Sequence, residues 1–289
     1  MPELPEVEVV KKSLKKIVLN LVIKNVEIHN KFLRFPIEVQ KIKKMAEAKI
    51  TSIKRRSKYL LINLNNNFTI LIHLGMTGRI IITNSKNQRF KTSFYYNLNE
   101  NYNKHNHVTI TFNKKYKLIY NDIRKFGFIK IIKTNKLKIN SHLKELGPEP
   151  LSKNFNFSYF NKKILNKKKS VKDLLMDQNF VSGLGNIYVN EILFLSKIKP
   201  VKKVLNLKRN NIVSIIKNTK KILKKSIKKG GSSIKDFNNI EGKSGNFQQF
   251  FNVYGRNQKK CSDINCKGII KKIKQANRST FFCNICQKL

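Results

Sequence analysis

All four cysteines of this chain fall after residue 260, as two close pairs, Cys261-x4-Cys266 and Cys283-x2-Cys286, with 16 residues between the pairs. A terminal stretch of that size buries too little apolar surface to hold itself folded. Two knuckles on a hairpin solve the problem if four thiolates close a tetrahedral metal site. Four unrelated buried thiols are the alternative. A disulfide framework is unexpected, because the start of the chain, MPELPEVEVV, is acidic and has no apolar signal core. Four protein ligands leave no open coordination position. The expectation is therefore one structural Zn2+ held by Cys261, Cys266, Cys283 and Cys286, and no catalytic metal. Between the pairs, Lys271 to Arg278 is basic and suits phosphates, although by spacing alone Arg278 reads equally well as a surface charge.

Upstream, the apolar period changes along the chain. Residues 1 to about 20 read as a helix. Pro5 suits its first turn, Glu3, Glu6 and Glu8 sit at the positive end of its dipole, and Val7, Val10, Leu14 and Ile17 form one stripe. From about 21 to 133 the segments are short and β-branched or aromatic, as in Tyr59 to Leu64, Thr69 to Leu74, Val108 to Phe112 and Phe128 to Ile132. That pattern predicts a sandwich or barrel-like domain. Residues 134–155, with Gly147-Pro148-Glu149-Pro150, read as a linker. Helical patterns follow at Phe157 to Leu165, Val171 to Asp177, Asn186 to Leu195 and Leu207 to Ile227, the last ended by Gly230-Gly231. Residues 232–250 are polar and read as a mobile loop. The fold class is thus α+β, with a domain at 1–133, a hinge at 134–155, a helical domain at 156–250 and a metal hairpin at 251–289.

The formal net charge is +45, from 61 Lys and Arg against 16 Asp and Glu. A field of that size calls for a polyanion, with nucleic acid first. Lys far exceeds Arg and Trp is absent, so part of the excess tracks A/T-rich codons. Affinity for DNA is expected to fall steeply as salt rises. With 40% hydrophobic and 27% charged residues and no apolar run near the length of a span, no membrane partner is expected, and the cytoplasm is the default location.

Met1 precedes a small residue and is the kind of methionine that is removed, which would expose the secondary amine of Pro2. Such an amine attacks an electrophilic sugar carbon and forms an iminium without losing a further proton from nitrogen. Glu3 is placed to move protons beside it. Read alone, Pro2 is more simply a proline that starts a helix.

The segments MPELPEVE at the start, RRSKYLL at 55–61, HLGMTG at 73–78, DIRKFG at 122–127, LGPEPL at 146–151, LMDQNFVSGLGNIYVNE at 175–191 and VYGR at 253–256 occur in that order, followed by the cysteine hairpin. Over essentially its whole length the chain resembles the formamidopyrimidine-DNA glycosylases. The resemblance implies a β-sandwich domain with a leading helix, a helix-two-turn-helix domain and a zinc-finger β-hairpin, with DNA in the cleft between the domains. It implies Pro2 as the nucleophile that forms a Schiff base with C1′, Glu3 as the catalytic acid, Glu6 as a second carboxylate, Lys58 as the proton donor in β-elimination, and Arg278 as a phosphate grip with a role in δ-elimination. It places Met76, Arg124 and Phe126 in the void left by an everted nucleotide. Phe126 would wedge between bases, Arg124 would pair with the orphaned cytosine, and Met76 would fill the gap. It makes His73, His105, Lys169, Lys172 and Asn186 DNA contacts, the last at a helix N-terminus. Residues 232–248 correspond to a base-binding loop.

The implied activity is excision of 8-oxoguanine and formamidopyrimidines from damaged double-stranded DNA by a monomer, followed by β,δ-elimination. One departure stands out. The first knuckle has four intervening residues where the family usually has two, so its turn must differ. The sister family, endonuclease VIII, shares Pro2 and Glu3 and prefers oxidised pyrimidines; the void-filling set here favours the purine enzyme. A damage-binding protein without catalysis is the remaining rival, and the intact Pro2 and Glu3 argue against it.

Overall fold

The computed structural model describes residues 2–86, 88–92, 103–113, 116–232 and 247–289. The chain divides into two compact units, Met1–Lys144 with Lys229–Asn246, and Glu145–Lys228 with Phe247–Leu289.

The first unit opens with α1 (Leu4–Val18), whose Pro5 lies in the first turn and whose Val7, Val10, Leu14 and Val18 are buried. It continues with β1 (Ile23–Ile28), a short α2 (Val39–Lys43), β2 (Ile50–Arg56), β3 (Tyr59–Leu64), β4 (Phe68–His73), β5 (Arg79–Thr83), β6 (Arg89–Lys91), β7 (Asn106–Phe112), β8 (Lys117–Asn121) and β9 (Phe128–Lys133). The strands form two antiparallel sheets, β1-β7-β8-β5-β6 and β2-β3-β4-β9. Inward-facing residues of both sheets, such as Leu60, Ile72, Ile80, Ile110 and Leu118, share one core with the stripe of α1. That is the expected sandwich with its leading helix. The helix α2 was not expected, being too short for a helical period to register in the sequence.

The second unit holds α3 (Phe157–Ile164), α4 (Val171–Met176), α5 (Asn186–Leu195), α6 (Arg209–Lys228), and the hairpin β10 (Ile270–Gln275) and β11 (Arg278–Cys283). Asn156 caps α3 through Tyr159 N at 2.9 Å, and Ser170 caps α4 through Asp173 N at 3.1 Å. Gly230 and Gly231, both at positive φ, follow α6 as the glycine pair predicted. The two-residue turn Ala276-Asn277 has φ of 45° and 57°, the left-handed pair that a tight hairpin demands.

The units do not follow the boundaries drawn from the sequence. Residues 134–144 belong with the β unit, because Leu137 and Leu143 pack against Leu61, Leu71 and Phe128. The hairpin is not separate from the helices. Phe194 of α5 shares a cluster with Val253, Ile270, Phe281 and Cys283, and the carboxylate of buried Glu191 accepts the backbone N–H groups of Asn252, Val253 and Tyr254, each at 2.9 Å. Among the described residues, no helix is long and apolar enough to cross a membrane.

Candidate active site

In the β unit the start of α1 is built around two buried carboxylates. Glu3 is the N-cap, and Glu3 and Glu6 close a reciprocal capping box, with Glu3 N donating to Glu6 Oε2 at 2.8 Å. The other oxygen of Glu6 accepts Ser232 N at 2.8 Å and Ser232 Oγ at 2.9 Å. Glu6 therefore fixes the backbone of Glu3 and also the residue at which the predicted base-binding loop begins. Of that loop, 233–246 lies outside the described residues. Pro2 is buried beside this cap.

Lys58 occupies the two-residue turn between β2 and β3, whose first residue, Ser57, has φ 55°. Arg55 steadies the turn. Its Nε donates to Glu8 Oε2 of α1 at 2.8 Å and its guanidinium donates to Ser57 O at 2.8 Å. Lys58 is 7% exposed. His73 ends β4, stacked on Phe128 at 5.6 Å between ring centroids and tilted against Tyr59 at 4.9 Å. Burial, reinforced by Lys58, Arg34 and His142, pushes its pKa down to about 4. The ring is neutral near pH 7. Nδ1 accepts Gly75 N at 3.1 Å, so the remaining proton sits on Nε2, which becomes a neutral donor.

The three void-filling candidates stand on two loops, after β4 and before β9. Met76, Arg124 and Phe126 are exposed, and the Arg124 guanidinium lies 4.5 Å from the Phe126 ring centroid. The fully buried Asp122 latches the loops together. One of its oxygens accepts the Thr77 hydroxyl, the other accepts Gly127 N at 2.8 Å, and Arg124 N donates to Thr77 Oγ1 at 3.0 Å. The Asp122 N–H donates to His105 O at 3.1 Å, so His105 hangs from this latch too. Sequence reasoning missed Asp122. It stands in the DIRKFG segment, but its partner Thr77 is 45 residues away and no spacing rule links them.

Glycine is required where the loops meet. Gly75 has φ +59°, and a Cβ there would lie 2.4 Å from Gly127 N and 2.5 Å from the Phe126 carbonyl carbon. Backbone cannot yield as a side chain does. Gly75→Ala is expected to cost about 2 kcal/mol or more, from the clash and the left-handed backbone together. Thermal unfolding should show it as a midpoint lower by about 4–8 °C. An unchanged midpoint would mean that the loops are not held in this register.

In the helical unit, two of the side chains predicted at DNA, Lys172 and Asn186, converge near the hairpin tip. Asn186, the first residue of α5, donates from Nδ2 to Ser279 O at 2.9 Å, and Asn190 Oδ1 accepts Phe281 N at 2.8 Å. Gln178 shapes the glycine loop before α5 by accepting Gly183 N at 2.9 Å and donating to Leu184 O at 2.8 Å. Lys169 is exposed and pairs with Asp177 at 3.2 Å. Lys172 is not at the surface. It is 1% exposed, and its ammonium donates to Thr280 Oγ1 at 2.6 Å and Ser279 O at 3.3 Å. Burial lowers its pKa to about 8, with Asp173 opposing and Arg278 adding to the fall. Lys172 and Asn186 thus grip the strand that begins at the exposed Arg278. The resemblance implies DNA contacts for both; in the structure their polar atoms meet the hairpin.

The sulfurs of Cys261, Cys266, Cys283 and Cys286 all lie within 4.8 Å of one another, with Cys261 to Cys286 at 3.8 Å and Cys266 to Cys283 at 3.6 Å. A tetrahedral ion with metal–sulfur bonds of about 2.3 Å sets its sulfurs about 3.8 Å apart, so the four thiols fit a closed structural metal site. The longer first knuckle is tied down by an ion pair between Asp263 and Lys197.

Known proteins resemble the chain along its whole length. Residues 1–129 match the formamidopyrimidine-DNA glycosylase N-terminal domain, and residues 146–238 match the formamidopyrimidine-DNA glycosylase H2TH domain. A formamidopyrimidine-DNA glycosylase of Rickettsia felis is 39% identical over 287 residues, covering 99% of this chain and 98% of the relative. One from Bartonella tribocorum is 38% identical over 298 residues, with both chains fully covered. Among solved structures, a complex between Lactococcus lactis Fpg and DNA containing an abasic site superposes with a TM-score of 0.85 at 34% identity, covering 99% of this chain and 100% of that one. A complex of the wild-type Lactococcus lactis protein with DNA containing N7-benzyl-Fapy-dG gives a TM-score of 0.85 at 35% identity, with both chains fully covered.

Proposed function

The chain belongs to the formamidopyrimidine-DNA glycosylase family and is a DNA glycosylase and AP lyase of base excision repair, and from that premise we propose which residues do the work and on what. The substrate is duplex DNA carrying 8-oxoguanine or a formamidopyrimidine. The observation that carries the reading is the pairing of a buried Pro2–Glu3 helix start with an exposed Met76, Arg124 and Phe126 on two loops latched by Asp122.

A stacked base shields its sugar carbon, so the nucleotide is everted first, at a cost of a few kcal/mol. Met76 fills the space, Phe126 wedges the stack, and Arg124 offers its donors to the orphaned cytosine. With Met1 removed, the Pro2 amine attacks C1′ while Glu3 delivers a proton to the departing base or the ring oxygen. The bond from C1′ to the base breaks, the nitrogen gives up its proton, and the C1′–O4′ bond then opens with a proton going to O4′; the product is an iminium, which acidifies the neighbouring C2′–H for β-elimination. Lys58 and Arg278 then serve the two phosphate departures. The neutral Nε2–H of His73 is suited to a phosphate oxygen, as are His105, Lys169 and the start of α5 at Asn186. Lys172 contributes by holding the Arg278 strand.

The metal at the four cysteines is Zn2+, which cross-links the hairpin and takes no part in the chemistry. The protein acts as a monomer in the bacterial cytosol. A strand-cleavage assay tests the substrate assignment. Duplexes with 8-oxoguanine opposite cytosine should be cut at least about tenfold faster than duplexes with thymine glycol, a gap that one set of specific polar contacts supplies. The reverse order would assign the pyrimidine specificity of endonuclease VIII.

A further inference from the structure

The helical unit carries a pocket of about 330 Å³ between the second half of α6, the short helical turn Phe247–Phe250 and the chain leading to the first knuckle. It takes no part in the chemistry above. Its lining combines cations with aromatic rings: Lys221 and Lys225 of α6, Arg256, Phe247 and Phe250. None of the lining residues is acidic.

The rings are ordered into a platform. Buried Tyr188 stacks on buried Phe247 at 5.9 Å between centroids and 27° between planes. Phe250 follows at 6.4 Å and 35°, and Phe251 meets Phe247 edge-on at 5.7 Å. Phe250, 40% exposed, is the outer end of this row, tilted against the buried Phe247. The Lys225 ammonium lies 4.6 Å from its centroid, on a long stem that can swing toward an anion. Arg256 spends its guanidinium on the carbonyls of Phe251 and Lys260, each at 3.2 Å, so its positive charge is fixed in the wall.

An exposed ring with one ammonium over it, a second ammonium in the lining and one fixed guanidinium is a combination that can hold a base by stacking and its phosphate by charge once the Lys225 stem swings aside. The volume lies at the lower end of small-ligand sites, about the size of one nucleotide. We propose that this pocket is a second nucleic-acid site, taking one unpaired nucleoside phosphate with its base on Phe250 and its phosphate on Lys221 and Lys225. The occupant is either a free nucleotide or an unpaired nucleotide of a DNA strand.

The test is a titration of the full-length protein with the 5′-monophosphate of 2-aminopurine deoxyriboside, whose fluorescence is quenched when the base stacks. Saturable quenching is expected. Phe250→Ala should weaken binding at least about tenfold, since one stacked base is worth roughly tenfold to a hundredfold. A Lys221→Gln/Lys225→Gln double variant should weaken it similarly. A Lys12→Gln/Lys16→Gln control, which removes the same charge from the exposed side of α1, should leave it unchanged. Absence of saturation, equal quenching in Phe250→Ala, or equal weakening by the control pair would overturn the proposal. A second arm uses a blunt duplex and one with a three-nucleotide single-stranded extension carrying 2-aminopurine. Tighter binding of the extension than of the mononucleotide identifies a DNA strand as the occupant, and tighter binding of the mononucleotide identifies the free compound. Excision of 8-oxoguanine from a short blunt duplex should be unchanged in Phe250→Ala, which separates this site from the glycosylase reading.

Discussion

Cys283→Ser, or removal of the metal by a strong chelator, is expected to lower affinity for a lesion-containing duplex by at least about a hundredfold and to abolish strand cleavage. The buried cluster around the hairpin comprises Phe194, Val253, Ile270, Phe281 and Cys283, too few to fix two strands without a cross-link. A structural zinc site contributes on the order of 10 kcal/mol to folding of such a module. Cys283 is itself in that cluster and fully buried, so serine there loses a ligand and a packed atom together. Without the hairpin, Arg278 has no fixed position. The side chains that grip its strand, Lys172, Asn186 and Asn190, lose their partners. Lys172 is affected most, because the hairpin supplies both acceptors of its ammonium and the burial around it. The measurement is a binding titration with and without chelator, followed by added Zn2+. Recovery of binding on adding zinc shows that the loss is local. Full affinity in the chelated protein would refute a structural role for the metal.

Glu3→Gln is expected to slow release of the base from intact 8-oxoguanine DNA by about 10³-fold, while processing of a preformed abasic site changes by less than about tenfold. The two reactions differ in what Glu3 must do. A base-bearing nucleotide needs a proton for its leaving group or ring oxygen, and an amide cannot supply one. An abasic site has already lost the base, and its C1′ is an aldehyde carbon open to the Pro2 amine. Glutamine keeps an oxygen that can accept the Glu6 N–H, so the cap of α1 and the position of Pro2 survive. Strand cleavage is compared on matched duplexes, one with the lesion and one with the abasic site. Parallel loss on both would mean that Glu3 acts on the helix start and not on the proton.

Much of this site was legible in the chain because its parts are local. The α1 stripe, the acidic helix start with Glu3 and Glu6, the glycine pair after α6 and the paired cysteines each obey a spacing of a few residues. What stayed hidden depends on contacts across long separations. Lys172 resembled a DNA contact in sequence, and only the hairpin more than a hundred residues later buries it. Asp122 is one acid in a basic segment until the loops after β4 and β8 bring Thr77 to it. Glu191, inside a helix with no polar face, binds the chain ahead of the first knuckle, 61 to 63 residues away. The unit boundary moved for the same reason, since residues 134–144 look like a linker until Leu137 and Leu143 find the second sheet.

The proposed chemistry turns on the Pro2 amine as nucleophile, and borohydride trapping would make that bond visible. The protein is incubated with a duplex carrying 8-oxoguanine opposite cytosine, reduced, and examined for a covalent protein–DNA adduct beside a Pro2→Gly variant. A strong adduct is expected with the native protein and a sharply weaker one with the variant, because glycine offers only a primary amine with no ring to position it. Binding of the duplex without any adduct would contradict the Schiff-base mechanism and leave a protein that recognises damage and does not cut it.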